Sequence, residues 1–277
     1  MLARELLHQA RIQLEQAGCD TARLDAELLL LFVWGLSKTA LIIQMHDEVP
    51  EQVTQDFQAL IKRRILREPV AYITGVKAFW SYEFLVTRDV LIPRPETEHL
   101  IESVLKYFPN QNQDVHMCDI GTGSGCIAVT LAKEYPHAHV TACDISQAAL
   151  DVARQNAKHL EVEASMSFYA GDLYQALPSS AKFDVIVSNP PYVSLSEMDK
   201  LEAELDYEPR QALTDEKTGL TLLDALLQDA HFYLHDGGVL VLESGLCGMP
   251  KTPDTMIKLE DYTDLAGNFR GSVFRKT

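Results

Sequence analysis

The residues Asn189-Pro190-Pro191-Tyr192 follow directly on an apolar run, Phe183-Asp184-Val185-Ile186-Val187-Ser188. Asparagine offers one amide oxygen as an acceptor and an NH2 with two donors. Two prolines stiffen the backbone and free a carbonyl that no neighbouring N–H competes for. Tyr192 adds a flat apolar face with a polar tip. The combination suits a planar NH2 group. Its hydrogens would be accepted by Asn189 Oδ1 and the Pro190 carbonyl, and its plane would lie on the Pro191 and Tyr192 surface. The plain alternative is a proline turn that closes a strand.

Three further sites weigh against that alternative. Asp119-Ile120-Gly121-Thr122-Gly123-Ser124-Gly125 lies between an apolar run and a helical pattern. Glycines at alternate positions let the backbone turn tightly and approach a ligand. A dinucleotide fingerprint calls for glycine at position 126, where this chain has Cys126. The alternate spacing instead suits the amino-acid end of S-adenosylmethionine, with Gly121, Thr122, Gly123, Ser124 and Gly125 around it. Asp144 ends the next apolar run, where a carboxylate accepts from the two hydroxyls of a ribose; a helix cap is the plain reading. Asp172 follows the third run in Ala170-Gly171-Asp172-Leu173. It is placed to accept from an adenine amine while Leu173 packs on the ring. Each site alone is weak, but their recurrence at the ends of successive strands points to a nucleoside-type cofactor bordered by Asn189.

Little acid–base machinery is needed for such a site. An amide lone pair is delocalised and poorly nucleophilic. Acceptors that hold both N–H groups gain strength as positive charge develops on nitrogen. In-line placement contributes most of the rest, up to ~7–11 kcal/mol. The nine histidines are scattered away from these motifs.

The elements that must position these residues alternate. Strands are predicted at 115–120, 139–143, 165–170, 183–188 and 238–243, and helices at 127–135, 147–159 and 218–234. Such alternation predicts a parallel sheet covered by helices on both faces, with ligands at the carboxyl ends of its strands. Upstream, apolar residues recur at helical spacing: Leu6, Leu7, Ala10 and Leu14, then Leu24, Leu28, Leu31 and Phe32. Two more helices are predicted at 36–44 and 50–67. Lys62, Arg63, Arg64 and Arg67 at the end of the last read as a solvated helix terminus. Phe79, Trp80, Tyr82, Phe84, Val86 and Val90 suggest a hairpin. The division is therefore a helical domain over 1–78, a hairpin linker over 79–98 and an α/β domain over 99–277.

Composition excludes several classes. Apolar residues make up 47% and charged residues 23%, as in an ordinary globular protein. Nothing approaches a membrane span, and the N-terminus, with Glu5 early, is not a secretory signal. The chain reads as cytoplasmic. Its five cysteines include no CxxC pair and read as small buried hydrophobes, with no metal site. The net charge of −16 falls almost entirely after residue 78, which disfavours a nucleic-acid partner for the α/β domain.

The motifs together resemble a known family. They are Arg67-Glu68-Pro69-Val70-Ala71-Tyr72-Ile73-Thr74-Gly75, Phe79-Trp80, Leu91-Ile92-Pro93-Arg94-Pro95-Glu96-Thr97-Glu98, the glycine loop, Asn189-Pro190-Pro191-Tyr192 and Tyr207-Glu208-Pro209. The set is similar to the peptide chain release factor glutamine methyltransferases of the PrmC/HemK type, over about residues 1–245. The resemblance implies a Rossmann-like class I methyltransferase sheet behind a helical domain that docks the substrate protein. It also implies N5-methylation, from S-adenosylmethionine, of the glutamine in the Gly-Gly-Gln motif of class I release factors, with S-adenosylhomocysteine as the product. Asn189, Pro190 and Tyr192 would be catalytic, and Pro191 would join them against the substrate. The competing reading is an adenine-N6 methyltransferase on nucleic acid, which uses the same tetrapeptide. After Glu243 the resemblance weakens. Prolines and glycines at 244–253 argue against a helix there, and a closing strand is predicted at 271–276.

Overall fold

A computed structural model describes residues 1–277. The chain forms two compact units: Met1–Val76 with Glu202–Tyr207, and Lys77–Leu201 with Glu208–Thr277.

The first unit is helical. It contains α1 (Ala3–Gln16), α2 (Ala22–Trp34), α3 (Lys38–Ile43), α4 (Glu51–Ile65) and α5 (Val70–Thr74). The stripe of Leu6, Leu7, Ala10 and Leu14 is buried against Leu29, Leu30, Phe57 and Ile61. Ser37 caps α3 by accepting from the Ala40 N–H. Gly35 ends α2 in the left-handed region, which a side chain adopts only at a cost.

The basic cluster at the end of α4 is only partly solvated: Lys62 and Arg63 are exposed, Arg67 is half-buried and Arg64 is buried. Arg64 is buried, with Nε donating to Asp25 at 2.7 Å and an Nη to Glu204 at 2.8 Å. Arg67 binds the same Glu204 carboxylate. Arg63 makes two 2.8 Å bonds to Glu68. Burial alone would raise the Glu204 pKa, but the bonds from Arg67 and Arg64 outweigh it and hold the carboxyl below its usual range. A buried guanidinium requires such partners. One of them lies 140 residues further on, beyond the reach of any local pattern.

The boundary between the units falls one residue into a hairpin, β1 (Val76–Phe79) and β2 (Tyr82–Leu85), the rest of which belongs to the second unit. The hairpin is built into that unit's core. Phe79 and Phe84 pack among Leu100, Val104 and Ile127. The Asn156 side chain bonds both the N–H and the carbonyl of Leu85. An extended stretch and a short 3-10 turn, Pro95–Thr97, lead into α6 (Glu98–Tyr107).

The main sheet comprises β3 (His116–Ile120), β4 (His139–Asp144), β5 (Met166–Ala170), β6 (Phe183–Ser188), β7 (Leu234–Glu243), β8 (Met256–Thr263) and β9 (Phe269–Lys276). Its order is β5-β4-β3-β6-β7-β9-β8. The strands from β3 to β7 are parallel, and β9 runs antiparallel between β7 and β8. The helices between them are α7 (Cys126–Glu134), α8 (Gln147–His159), a single turn α9 (Leu195–Met198) and α10 (Thr221–Tyr233). Successive strand residues face opposite ways. Met117, Val185, Val187 and Val241 pack with α6 and α7, while Cys118, Ile120, Ile186 and Leu240 pack with α10.

No helix forms between Glu243 and β8, and β9 closes the sheet as the residues at 271–276 predict. The strand β8 has no counterpart in the sequence reading. It is an edge strand with Lys258, Glu260 and Asp261 on its surface, which blurs any alternation. No single helix is long and apolar enough to cross a membrane.

Candidate active site

Parallel strands bring their carboxyl ends to one edge of the sheet, and every sequence-derived site residue lies there. A cavity of about 250 Å³ opens at this edge, near the lower end of the ~300–1,000 Å³ of small-ligand sites. Its lining includes Gly121, Thr122, Gly123, Ser124, Asp144, Asp172, Leu173, Asn189, Pro190 and Pro191. Gly125 and Tyr192 do not line it.

The glycine loop leaves β3 and enters α7. Gly121, Gly123 and Gly125 all have positive φ, at 74°, 54° and 80°. A Cβ on Gly125 would lie 3.0 Å from that of Ala153 on α8, so this glycine serves helix packing. A Cβ on Gly121 or Gly123 would meet nothing within 4 Å. The backbone there faces open space, a cradle that a ligand can fill. Beneath the loop Asp119 accepts from the Thr122 hydroxyl at 2.7 Å and from the Ala128 N–H at 3.2 Å. Its other oxygen is buried without a partner. Burial raises the Asp119 pKa to about 7, against the two hydrogen bonds that lower it.

Asp144, at the end of β4, does part of a cap's work. It accepts from the Ser146 N–H and the Gly123 N–H, both at 2.9 Å. Ser146 itself caps α8. Each carboxylate oxygen keeps a further lone-pair site for a ligand hydroxyl. Burial raises the pKa of Asp144, and its backbone bonds lower it less. Asp172 is exposed on the cavity wall, and its carboxylate has no partner within the chain. Leu173 beside it holds φ 46°, left-handed backbone that a non-glycine residue rarely adopts. Strain of this kind, of order ~1–3 kcal/mol, gathers at ligand sites.

The turn after β6 is fixed from behind. Asn189 Nδ2 donates to Thr97 Oγ1 at 3.1 Å, so Oδ1 is the end left without a partner. The Pro190 carbonyl also accepts nothing within the chain. Tyr192 departs from its expected place against the target. Its hydroxyl donates to Glu243 at 3.0 Å, and its ring lies so close to Gly245 that a Cβ there would meet it at 2.9 Å. Burial raises the pKa of Tyr192, as does the neighbouring Glu243. Burial likewise raises Glu243 to about 7, with the Thr97 and Tyr192 hydroxyls pulling it back.

Thr97 and Glu243 escape sequence reasoning as site residues. Thr97 is visible only as part of the run from Leu91 to Glu98. Glu243 carries the same signal as Asp144, an acid at a strand's carboxyl end. The structure also joins two quoted motifs: Glu208 accepts from the Ile92 N–H at 3.0 Å and pairs with Arg94 on the cavity wall.

The strand order and a ligand cradle at the carboxyl ends of the parallel strands define a class of Rossmann-like transferases. Residues 98–216 match the family model "Methyltransferase small domain", and residues 5–75 match "PrmC N-terminal domain". The catalytic domain of hMettl16, solved with a MAT2A 3′UTR hairpin, is alike in fold. Its TM-score is 0.52 at 15% identity, over 70% of this chain and 74% of that one. The release factor glutamine methyltransferase of Coxiella burnetii is 41% identical over 92% of each chain. That of Geobacter sulfurreducens is 37% identical over 94% of this chain and 90% of its own. The chain belongs to the release factor glutamine methyltransferase family.

Proposed function

We propose that the chain transfers a methyl group from S-adenosylmethionine to the N5 side-chain nitrogen of the glutamine in the Gly-Gly-Gln motif of class I release factors, leaving S-adenosylhomocysteine. The observation that carries this reading is the Asn189 amide. Its NH2 end is committed to Thr97, so its oxygen is the end offered to a target at the cavity.

The residues present fit the cofactor. Backbone from Gly121 to Ser124 holds the amino-acid end, with Gly125 packing the loop against α8 and the Thr122 hydroxyl tying it to Asp119. Asp144 accepts from the ribose hydroxyls. Asp172 accepts from the adenine amine, and Leu173 covers the ring. The cofactor supplies an electrophilic methyl group on a sulfonium. Asn189 Oδ1 and the Pro190 carbonyl accept the two N–H bonds of the substrate amide, with Asn189 bordering both ligands. Pro191 gives the amide plane a surface. Tyr192 supports the turn from outside the cavity lining. When bound, that methyl group would accept the amide nitrogen's lone pair, with the sulfur as the leaving group keeping the C–S pair. The nitrogen, now cationic and acidic, loses one proton to solvent. Acceptors fixed beforehand stabilise that developing charge without reorganising.

The helical unit serves as the docking surface for the release factor. Leu24, Leu28 and Phe32 lie one turn apart on α2 and are exposed, and residues 1–78 carry almost none of the chain's net negative charge. Leu28→Glu should raise KM for the release factor and leave S-adenosylmethionine affinity unchanged. An unchanged KM removes this face of α2 from the docking surface.

The substrate is tested with methyl-labelled S-adenosylmethionine against a release factor, total tRNA and duplex DNA in separate reactions. Label is expected on the glutamine peptide of the release factor. Label in nucleic acid alone overturns the reading in favour of the adenine-N6 alternative.

A further inference from the structure

We infer that Arg94 takes the carboxylate of S-adenosylmethionine, as the one cation in the wall of the cavity. The assignment rests on the methyl-transfer reading and completes it at the amino-acid end, where the glycine loop serves only one of two charged groups.

An amino-acid end brings a carboxylate, which needs donors, and an ammonium, which needs acceptors. Most of the loop's N–H groups are engaged within the chain. Those of Gly121 and Thr122 both go to the Cys143 carbonyl, that of Gly123 to Asp144 and that of Gly125 to the Thr122 carbonyl. Only the Ser124 N–H is left. The Gly121 and Gly123 carbonyls, in contrast, accept nothing within the chain. The loop is therefore equipped for the ammonium and poorly equipped for the carboxylate.

The charges around the cavity agree. Asp89, Asp144 and Asp172 line it, and Arg94 is the only cation among the lining residues. Three acids suit a ligand that carries an ammonium and a sulfonium. A carboxylate on the same ligand then has one partner of opposite charge. Position agrees as well. The sheet order puts β4 and β5, with Asp144 and Asp172, on one side of β3, and β6, with Asn189, on the other. A cofactor with its adenosine on the first side and its methyl group at Asn189 has its amino-acid end over β3 and β6. Arg94 belongs to that side, three residues before the Thr97 that holds Asn189.

The guanidinium is fixed in place without being used up. Pro93 and Pro95 flank Arg94 and favour its extended backbone, at φ −100° and ψ 142°. Glu208 is buried, accepts from the Ile92 N–H at 3.0 Å and takes one Nη of Arg94. The Arg94 side chain makes no other hydrogen bond within the chain, so Nε and the second Nη keep donors for another carboxylate. A fork held in this way loses little freedom when it binds.

Calorimetry on the full chain tests this with two ligands, S-adenosylmethionine and its decarboxylated analogue, which keeps the adenosine, the sulfonium and the amine. The wild type should bind S-adenosylmethionine about 10–100-fold more tightly than the analogue, as expected for charge-assisted bonds. Arg94→Gln should weaken S-adenosylmethionine by a similar factor and leave the affinity for the analogue unchanged. Arg94→Lys, a cation without the fork, should fall between Gln and wild type. Equal losses for both ligands in Arg94→Gln overturn the inference. So does an unchanged S-adenosylmethionine affinity, and a raised release factor KM in the same variant would then assign Arg94 to the protein substrate. If Arg94→Gln does not fold, the wild type decides, since equal affinities for the two ligands also overturn the inference. A wild type that binds neither ligand would instead remove the methyl-transfer reading itself.

Discussion

The two walls of the cavity are made of different material. The wall after β3 and β4 is mostly backbone: Gly121 and Gly123 present bare peptide groups, and Asp144 braces the loop through two N–H bonds. The wall after β6 is a single side-chain amide held by another side chain, Thr97, while Tyr192, three residues on, is tied to Glu243. A backbone wall binds by shape and is sensitive to any added Cβ. A side-chain wall acts by orientation and is sensitive to the loss of one hydroxyl. Binding and chemistry are therefore carried by separable residues, and that separation makes the comparison breakable.

The largest effect should come from Asn189→Ala, which removes the acceptor and leaves a substrate N–H unpaired. A loss of this kind costs about 10²–10³ in rate. Asn189→Asp keeps an acceptor and should fall between Ala and wild type. Both should bind S-adenosylmethionine almost normally. If Asn189→Ala weakens cofactor binding as much as it slows turnover, the two walls are one.

Asp144→Ala tests the other side. Loss of charge-assisted bonds should weaken S-adenosylmethionine binding by about 1.5–3 kcal/mol in calorimetry. Part of this comes from the Gly123 N–H that Asp144 also holds. Unchanged affinity takes Asp144 out of the site. Gly123→Ala should have a smaller effect, because its φ of 54° strains an L residue by ~1–2 kcal/mol and the Cβ enters the cradle. The release factor KM should not move. A normal cofactor Kd for this variant shows that the cradle is elsewhere.

The smallest effect is on stability. Asp119 and Glu243 have folded-state pKa values raised to about 7. A raised acid contributes stability that is fully present below its unfolded value of ~4 and is lost as pH rises through the folded value. Melting temperature should therefore decline between about pH 4 and 7 on their account, and Glu243→Gln should flatten part of that decline. Glu204, held low by its arginines, acts in the opposite sense, its contribution being lost only as pH falls below the ordinary carboxylate range. A decline unaltered in Glu243→Gln places the titrating group elsewhere.

The glycine loop, Asp144, Asp172 and Asn189 are legible in the chain because each sits at the end of an apolar run that can only be a buried parallel strand. Thr97 and Glu243 are not, since their meaning lies in a contact between segments far apart in sequence. Tyr192 shows the limit of reading a motif locally: its neighbours suggest a surface for the target, but Gly245 leaves room for the ring on the other side. Arg64 shows it again, for a run of basic residues at a helix end is normally solvated unless distant acids reach it. The edge strand β8 hides behind its charges, while β9 next to it shows Val273 and Phe274 and can be read.

The segment Glu202–Tyr207 belongs to the helical unit although the chain has by then passed through most of the sheet. During synthesis from the N-terminus, the first 76 residues emerge without Glu204, and Arg64 has only Asp25 to neutralise it. The unit that comes first in sequence is thus among the later ones to be complete. An N-terminal fragment ending near residue 76 should be less stable than the same helices in the whole protein, and a peptide carrying residues 202–207 supplied in trans should restore part of the difference.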